Sequence, residues 1–395
     1  MSGMLELEEA QARLLALVKP MPGETLPVGE ALGRYLAEPL VAQRDSPAAD
    51  VSAMDAYAAS GDGPWTVIGE SRAGHPFGSP VGEGEAVAIS TGAVVPQGAN
   101  RIIVVEEAER DGEMLRSTGT DTAGRFIRRR AGNFEESARL LEAGSPVNAA
   151  IVGLALSAGV AEVAVAGAPT VKLLDCGDEL VREADGAAAH HVPASNAAML
   201  AALLAPTGAV ATTAPPVPDS LDALVAAIEG ARDADTIVLT GGASVGAHDL
   251  VRPALETSGA RLDFWRVAIK PGKPLLVATR GDQVILGLPG NPVSAYITAF
   301  LFLLPLVRAM MGARDPLPKA IALPLDGELG EGGTRREFLR ARLTDRGVAP
   351  VRAQESHALH GLALSDALID RPAGAALADP GTLVPVFSIG NGAFA

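Results

Sequence analysis

The sequence predicts a multidomain α/β protein. Its centre is a largely parallel α/β domain, accompanied by a helical N-terminal domain, a β insertion domain and a small C-terminal β domain. Three observations lead to this prediction. The chain has 395 residues, enough for roughly two to four hydrophobic cores. Hydrophobic residues make up 48% and charged residues 20%, a composition typical of packed proteins. Between residues 169 and 313, short apolar runs alternate with helical periodicity, which predicts a sheet covered on both faces.

The N-terminal domain is predicted to be helical and discontinuous. In residues 1–44, apolar side chains recur at helical spacing from Leu7 onward, and a second helix is predicted over residues 32–41. Residues 133–168 return to the same alanine-rich periodicity, including a helix over residues 148–158. We therefore expect these two segments to form one domain.

Residues 45–132 are predicted to form a β-rich insertion, because short Val and Ile runs are separated by glycine. Within it, Arg128, Arg129 and Arg130 suit either an anion patch or, more simply, alternating exposure along a strand. The predicted strands cover residues 65–68, 86–89, 102–106, 114–116 and 125–130.

Residues 169–313 carry the predicted α/β domain, and residues 314–395 a small C-terminal β domain with strands around residues 338–343 and 382–387. In largely parallel sheets, ligands bind at the carboxyl ends of the strands. In the α/β domain, strands are predicted over residues 170–175, 208–213, 236–240, near Phe264, 274–279 and 283–286, and helices over residues 196–204, 220–231, 248–256 and 293–311.

Charge and composition exclude several classes of function. The net charge of −15 and the aromatic content of 4% argue against nucleic-acid binding, which requires basic surfaces and often stacking side chains. The single cysteine, Cys176, excludes an intrachain disulfide and fits a cytoplasmic protein. The acidic N-terminus does not resemble a signal peptide. The uncharged residues 283–307 are interrupted by Gly and Pro, which predicts a buried helix and no membrane span.

Three rigid loops predict a site for a phosphate-bearing small molecule. The glycine-rich segment 241–246 follows an apolar strand and precedes a helix, so its N–H groups suit an anion. Two prolines and a glycine frame Lys270 and Lys273, as expected for cations that must be held in place. Residues 288–294 form another strand, turn and helix start. Three such loops along one sheet are stronger support than any one of them.

Four carboxylates accompany these loops: Asp55, Asp178, Glu179 and Asp249. Carboxylates beside phosphates repel them unless Mg²⁺ lies between, so magnesium is predicted if these groups converge. Each carboxylate also has an ordinary interpretation as a helix cap or turn residue.

Taken together, the ordered motifs resemble the molybdopterin molybdenumtransferase family, which includes the E domain of gephyrin. The resemblance extends over essentially the whole chain, and its specificity comes from the order of the motifs. The motifs are residues 52–58, 89–99, 177–180, 240–249, 270–274 and 288–294.

The resemblance implies a molybdopterin-binding α/β fold and an enzyme of molybdenum cofactor biosynthesis. Such an enzyme takes adenylylated molybdopterin and molybdate, cleaves the adenylate with Mg²⁺, and releases AMP. The resemblance also implies an elongated cytoplasmic homodimer with four domains per chain and an active cleft built from both subunits. Contacts with an adenylyltransferase or with apo-molybdoenzymes follow as further expectations.

Carried over position by position, the resemblance gives a set of expected site residues. The catalytic residues are Asp55, Asp178, Asp249, Lys270 and Lys273, of which Asp178 and Asp249, together with Glu179, would bind the metal. The substrate-binding residues are Thr91, Gly241, Gly242, Ser244, Gly246, Pro274, Pro289, Gly290, Asn291, Pro292, Ser294, Arg335 and Ser356.

The chain departs from the family pattern at several positions. Ala56 stands where the family has Gly, and Asn100 where it has Asp. Phe134 replaces a usual acidic residue, for which Glu135 or Glu136 would have to substitute. These departures leave open a catalytically impaired paralogue that binds the pterin or serves as a scaffold.

A third interpretation is a molybdopterin adenylyltransferase, whose fold resembles residues 170–310. The insertion and the C-terminal domain argue against it.

Overall fold

The computed structural model describes residues 4–119, 122–182, 188–242 and 250–389. From the N-terminus to residue 166, its elements are α1 (Leu7–Ala16), β1 (Gly23–Pro27), β2 (Leu40–Val41), β3 (Val51–Ser52), β4 (Ala56–Ala59), β5 (Trp65–Ser71), β6 (Glu85–Ile89), β7 (Arg101–Val104), a 3₁₀ turn (Val105–Glu107), β8 (Ala108–Asp111), β9 (Met114–Ser117), β10 (Ile127–Arg128), β11 (Arg139–Leu141), α2 (Ala149–Ser157) and β12 (Glu162–Ala166).

Two short antiparallel ladders, β1 with β12 and β2 with β11, join the segments on either side of the insertion. Helix α2 starts after Asn148, whose side chain accepts the N–H of Ile151 at 3.0 Å. Leu36, Phe134 and Val165 belong to the apolar cluster beneath these ladders. Helix α1 lies elsewhere, since its apolar face belongs to the core of the α/β region.

The prediction of a helix over residues 32–41 is wrong. This segment forms turns, isolated bridges and strand β2, and Leu36 pairs with Val165. Gly33 adopts a φ of +80°, and Pro39 has no N–H to donate, so neither suits a helix interior. Within residues 4–44 and 133–168, α1 and α2 are the only helices, and the other residues form turns, loops and paired strands. The domain boundaries themselves remain a prediction.

The insertion contains a six-stranded sheet in the order β7-β4-β6-β5-β9-β8. Central strand β4 runs antiparallel to both β6 and β7. Trp65, 1% exposed, anchors an apolar cluster here. Strands are present where the sequence predicted them, although the one expected over residues 125–130 is only the two-residue β10.

The α/β region follows the predicted alternation. Its elements are β13 (Thr170–Asp175), β14 (Leu180–Val181), β15 (Val192–Pro193), α3 (Asn196–Leu204), a 3₁₀ turn (Ala205–Thr207), β16 (Val210–Thr213), α4 (Leu221–Glu229), β17 (Thr236–Thr240), α5 (Val251–Thr257), β18 (Arg261–Trp265), β19 (Ile269–Lys270), β20 (Leu276–Arg280), β21 (Gln283–Leu288), α6 (Pro292–Thr298), a π-helical turn (Ala299–Leu303) and α7 (Leu304–Met310).

The main sheet has the order β16-β13-β17-β21-β20-β18. Its first four strands are parallel. Strand β20 then pairs antiparallel with β21, and β18 pairs antiparallel with β20. The apolar helix Pro292–Met310 is long enough to cross a membrane, but 89% of its most apolar window is buried within the protein. It is therefore the core helix of the α/β region, as the interrupted apolar stretch predicted.

The C-terminal region comprises β22 (Ile321–Pro324), β23 (Arg336–Thr344), β24 (Gly347–Pro350), α8 (Leu359–Ala363), β25 (Ala367–Arg371) and β26 (Leu383–Ser388). Strand β19 pairs in parallel with β23, aligning Lys270 with Glu337, so the α/β region contributes a strand to the C-terminal sheet. Phe338 and Phe387 belong to the same apolar cluster as Phe300 of the core helix. The two regions thus share one apolar cluster, although the C-terminal sheet also has a cluster of its own around Val348 and Ile369.

Candidate functional site

A cavity of about 350 Å³ lies where the α/β region meets the C-terminal sheet. The loop after β19 forms one wall, the start of helix α6 another, and strand β23 with residues 354–356 a third. Six residues expected from the sequence line this cavity together: Lys270, Lys273, Pro274, Ser294, Arg335 and Ser356.

The loop carrying both lysines is fixed by its packing. Gly272 has a φ of +110°, and a Cβ there would lie 2.5 Å from Cγ2 of Thr298, which is fully buried. Only glycine therefore allows this loop to approach the core helix so closely. The backbone oxygen of Lys273 accepts the N–H of Val267 at 3.2 Å, while its side chain is exposed. The fold thus holds the backbone and leaves the ammonium group facing outward.

The opposite wall is held by the buried Arg340, which does not line the cavity, and by Gln354, which does. Arg340 has no exposed surface and donates from Nε and Nη2 to the carbonyl of Ala353, at 3.1 and 2.6 Å. Gln354 donates in turn to the carbonyl of Arg340 at 2.8 Å. The carbonyl of Ser356 accepts the N–H of Val293 at 3.2 Å, which joins this wall to helix α6. Ser294, 4% exposed, thus lines the same cavity close to Ser356.

Positive charge outnumbers negative charge in the cavity. Lys270, Lys273 and Arg335 face two carboxylates, Glu337 and Glu355. The Nζ of Lys270 lies 2.8 Å from Oε1 of Glu337, and the side chain of Glu337 is only 15% exposed. A local excess of cations in a chain of net charge −15, with serine hydroxyls beside them, favours an oxyanion ligand.

Glu337, Gln354 and Glu355 also line the cavity, although they were not expected from the sequence. A signal for Glu337 was present, because it lies two residues after Arg335 at the start of a predicted strand. Side chains two apart on a strand point to the same face. No comparable local signal marks Gln354, whose place is set by its bonds to Arg340.

A second part of the site lies at the carboxyl ends of β13, β17 and β21. Thr240 donates to Oδ1 of Asp175 at 2.6 Å, and Asn196 donates to the carbonyl of Gly290 at 2.7 Å. A Cβ on Gly241 would lie 2.2 Å from the carbonyl oxygen of Cys176, and one on Gly290 would lie 3.3 Å from Cα of Gly241. The loops after these three strands therefore meet, as parallel strand ends predict. The loop with Lys270 and Lys273 instead follows β19, which pairs with β23 in the C-terminal sheet, so the expectation of three loops along one sheet is wrong for that loop.

The other loop residues shape this edge. Gly242 has a φ of +60°, and Pro289 is buried. Asn291 is exposed immediately before α6, which begins at Pro292, a position that suits proline. The expected residues Ser244, Gly246 and Asp249 lie outside the described residues.

Cys176 lies beneath this edge and is 3% exposed. Burial raises the pKa of its thiol to about 12, so it is an inert core residue at neutral pH.

Asp178 and Glu179 are exposed next to the same edge. Oδ1 of Asp178 accepts the N–H of Asp219 at 3.0 Å, and the N–H of Asp178 donates to Oδ2 of Asp219 at 3.4 Å. This reciprocal pair supports the turn interpretation of Asp178. Among residues 4–119, 122–182, 188–242 and 250–389, no group of three or more His, Cys, Asp or Glu side chains is arranged to hold a metal.

Asp55 and Thr91 form a separate group at one end of the insertion sheet. The backbone N–H and the hydroxyl of Thr91 both donate to Oδ1 of Asp55, at 2.7 and 2.9 Å. These two hydrogen bonds lower the pKa of Asp55 below its ordinary value, and the bond from the backbone N–H contributes more than the bond from the hydroxyl. The carboxylate is therefore ionised at neutral pH. Neither residue lines the cavity around Lys270.

The arginine run pairs with nearby acids. Arg129 contacts Asp50 at 2.6 Å, and Nε of Arg130 binds Asp45. These pairs favour a structural role for both residues over an anion patch.

Phe134 is 8% exposed and belongs to the apolar cluster under the N-terminal ladders. Glu135 and Glu136, which follow it, are exposed.

Known proteins resemble this chain in both sequence and fold. Three family descriptions match successive parts of the chain: the MoeA N-terminal region (domain I and II) over residues 5–159, a probable molybdopterin binding domain over residues 173–309, and the MoeA C-terminal region (domain IV) over residues 322–389. The crystal structure of a molybdopterin biosynthesis MoeA protein from Pyrococcus horikoshii has the same fold, with a TM-score of 0.84 and 24% identity over 98% of this chain and 100% of that one. The predicted fold class is confirmed.

Two relatives extend the comparison to sequence. A molybdopterin molybdenumtransferase of Synechococcus elongatus is 32% identical over 98% of this chain and 100% of its own length. Molybdopterin molybdenumtransferase 2 of Mycobacterium tuberculosis is 29% identical over the same shares of the two chains. The chain therefore belongs to the molybdopterin molybdenumtransferase family.

Proposed function

We propose that this enzyme of molybdenum cofactor biosynthesis inserts molybdate into adenylylated molybdopterin and releases AMP. The observation that carries the proposal is the cavity in which Lys270, Lys273 and Arg335 lie with the hydroxyls of Ser294 and Ser356. A tetrahedral dianion requires cations and hydroxyl donors together, and this cavity supplies both. Relatives over the full length of the chain are named molybdopterin molybdenumtransferases.

In this proposal, each wall of the cavity has a defined task. Lys270, Lys273 and Arg335 provide charge, and the walls that pack on the core helix hold the backbone from which these cations extend. Ser294 and Ser356 supply hydroxyl donors that help to orient the oxyanion.

The strand-end loops are proposed to hold the phosphates of the pterin and the nucleotide. Because Gly241 and Gly290 have no side chains, phosphate oxygens can approach the backbone N–H groups there closely. The buried bonds of Asp175 and Asn196 hold these loops together and preserve the spacing of their N–H groups.

Asp178 and Glu179, with Asp249, are proposed to bind Mg²⁺. Two exposed carboxylates fit the usual manner of Mg²⁺ binding, in which one or two carboxylates act beside waters and substrate phosphates. Oδ1 of Asp178 is engaged by Asp219, which orients the carboxylate toward a ligand with its other oxygen. Bound Mg²⁺ would neutralise phosphate charge during cleavage of the adenylate.

The test is incubation of the purified protein with adenylylated molybdopterin, molybdate and Mg²⁺, with AMP release measured over time. We expect release that depends on molybdate and stops when Mg²⁺ is chelated. Tight binding of the pterin without any AMP would refute the transferase. ATP-dependent formation of the adenylylated pterin would instead indicate an adenylyltransferase.

The burial of Phe134 favours one second candidate, a pterin-binding paralogue with impaired turnover. A core phenylalanine provides no carboxylate where the family pattern has an acid. Replacing the exposed Glu135 or Glu136 with glutamine distinguishes the two cases. If one of them substitutes for the missing acid, its replacement lowers AMP release; if neither does, release is unchanged by both changes.

We also propose that the active cleft is shared by two subunits of a homodimer. Asp55 and Thr91 are at the end of the insertion sheet and do not line the Lys270 cavity of their own chain. A cleft completed by the insertion of a second subunit would bring the two groups together. We further propose that the reaction takes place in the cytoplasm. The enzyme would make transient contacts there with an adenylyltransferase and with apo-molybdoenzymes.

Mixing two impaired variants tests the shared cleft. We expect Asp55→Asn and Lys273→Ala dimers to keep about a tenth or less of wild-type activity separately and to rise to about a quarter after subunit exchange, because half of the dimers are mixed and each holds one intact site. AMP release and the mass of the exchanged dimers are the measurements. Two Asp55→Asn preparations mixed with each other serve as the control. No recovery in verified mixed dimers would place both groups in a site within one chain.

A further inference from the structure

We infer that Glu337 competes with the bound oxyanion for Lys270 and thereby limits how tightly the cavity holds its oxyanion substrate. This inference rests on the proposed function only in placing an oxyanion in the cavity. Glu337 acts through Lys270 and is therefore a specificity and positioning residue.

The backbone fixes the carboxylate of Glu337 at the cavity wall. Strand β23 aligns Glu337 with Lys270 of β19. The residues on either side are anchored, because Arg336 binds Asp370 at 2.5 and 2.6 Å and Phe338 is 1% exposed in the shared core. A Cβ on Gly333 would lie 3.1 Å from Oε1 of Glu337, so the preceding loop also closes against the carboxylate. Glu337 has little room to move away.

Lys270 is the mobile partner of this pair. Its side chain is 57% exposed, compared with 15% for Glu337, and it carries the flexible four-carbon stem of lysine. An oxyanion entering the cavity must therefore share Lys270 with a fixed carboxylate, or draw the ammonium group away from it.

Electrostatics gives the direction of the effect. An oxyanion on Lys270 lies a few ångströms from Glu337, and like charges at such separations repel strongly where water screens them little. Glu355 also lines the cavity but is exposed, so solvent screens its charge. The carboxylate that opposes oxyanion binding is thus mainly that of Glu337.

Weaker binding of the oxyanion serves turnover. Interactions that stabilise the bound substrate as much as the transition state do not raise kcat, and a substrate held too tightly leaves the cavity slowly. The fixed carboxylate lowers the affinity of the ground state while keeping Lys270 close for the reacting species.

The decisive variant is Glu337→Gln, which removes the charge and keeps the shape. In calorimetric titrations of the full-length protein with molybdate, we expect binding about tenfold tighter than wild type, or ~1.4 kcal/mol. The effect should be smaller in a Lys270→Ala background, because the competition for Lys270 is then absent and only the direct repulsion remains. Glu337→Asp, which restores the charge, should bind more weakly than Glu337→Gln. Glu355→Gln is the matched control and should change affinity by less than about twofold.

Turnover provides an independent readout. Glu337→Gln should lower the KM for molybdate without raising kcat. Loss of folded protein would instead lower the apparent kcat and leave KM unchanged. Weaker molybdate binding by this variant would overturn the inference and show that Glu337 only anchors Lys270. Equal tightening by Glu355→Gln would overturn it as well. If neither wild type nor Glu337→Gln binds molybdate, sulfate or phosphate, the oxyanion cavity and the proposed function both fail. If wild type binds and Glu337→Gln binds no tighter, only this inference fails.

Discussion

Replacing Lys273 with alanine is expected to slow molybdate-dependent AMP release about tenfold to a hundredfold. A charged donor to an oxyanion contributes about 1.5–3 kcal/mol, and each ~1.4 kcal/mol corresponds to a tenfold change. The side chain is exposed and framed by a rigid loop, so the free energy of unfolding should change by less than about 0.5 kcal/mol. Rates measured across a range of molybdate concentrations, together with thermal melting, check both expectations.

Lys319→Ala is the control for this loss of charge. Lys319 is likewise exposed, pairs with Asp315 at 3.0 Å, and lies outside the cavity around Lys270. Its removal changes the net charge by the same amount and should leave AMP release unaltered. Equal rates for wild type and Lys273→Ala at low molybdate would contradict the placement of molybdate in this cavity.

Replacing Gly241 with alanine is expected to destabilise the α/β region by about 3–4 kcal/mol. Two costs combine there. The φ of +92° is strained for alanine, and the added Cβ would lie 2.2 Å from the carbonyl oxygen of Cys176. The loop after β17 would have to move away from the loop after β13, so binding of the phosphate-bearing substrate should weaken as well.

Gly259→Ala separates these two costs. Gly259 has a comparable φ of +75°, but a Cβ there would have nothing within 4 Å. Its replacement should cost only about 1 kcal/mol, the backbone contribution alone. Urea denaturation of both variants gives the comparison, and similar losses of stability would show that the close approach to Cys176 is relieved at little cost.

The sequence predicts those parts of the fold that local pattern determines. Helix α3 and strand β17 occupy the predicted residues because apolar periodicity and flanking turn residues lie within each segment. The meeting of the loops at Gly241 and Gly290 follows from the same reasoning, since parallel strand ends share one edge.

Other features depend on partners far along the chain. Residues 32–41 have helical periodicity, yet Leu36 pairs with Val165, and Gly33 and Pro39 oppose a helix. The sequence does show Gly33 and Pro39, which disfavour a helix, but it does not show the pairing of Leu36 with the distant Val165.

The candidate site shows the same limit. Arg335 and Ser356 were expected from the family resemblance, because no local pattern places them beside Lys270. Glu337 contacts Lys270 across 67 positions of sequence, a contact that only the pairing of β19 with β23 creates. Periodicity in the sequence predicts which residues share a strand face, but it does not predict which distant residues that face contacts.

The pairing of β19 with β23 also determines which parts of the molecule can move during a catalytic cycle. Strand β19 belongs to the C-terminal sheet, and Phe300 and Phe387 pack edge to face with their ring centroids 5.9 Å apart. These contacts join the cavity walls to the α/β region, and we expect them to move as one body. In the described part of the chain, the insertion sheet shares no ladder with that body. We therefore expect the cleft to open by movement of the insertion relative to that body, which changes the position of Asp55 relative to Lys273.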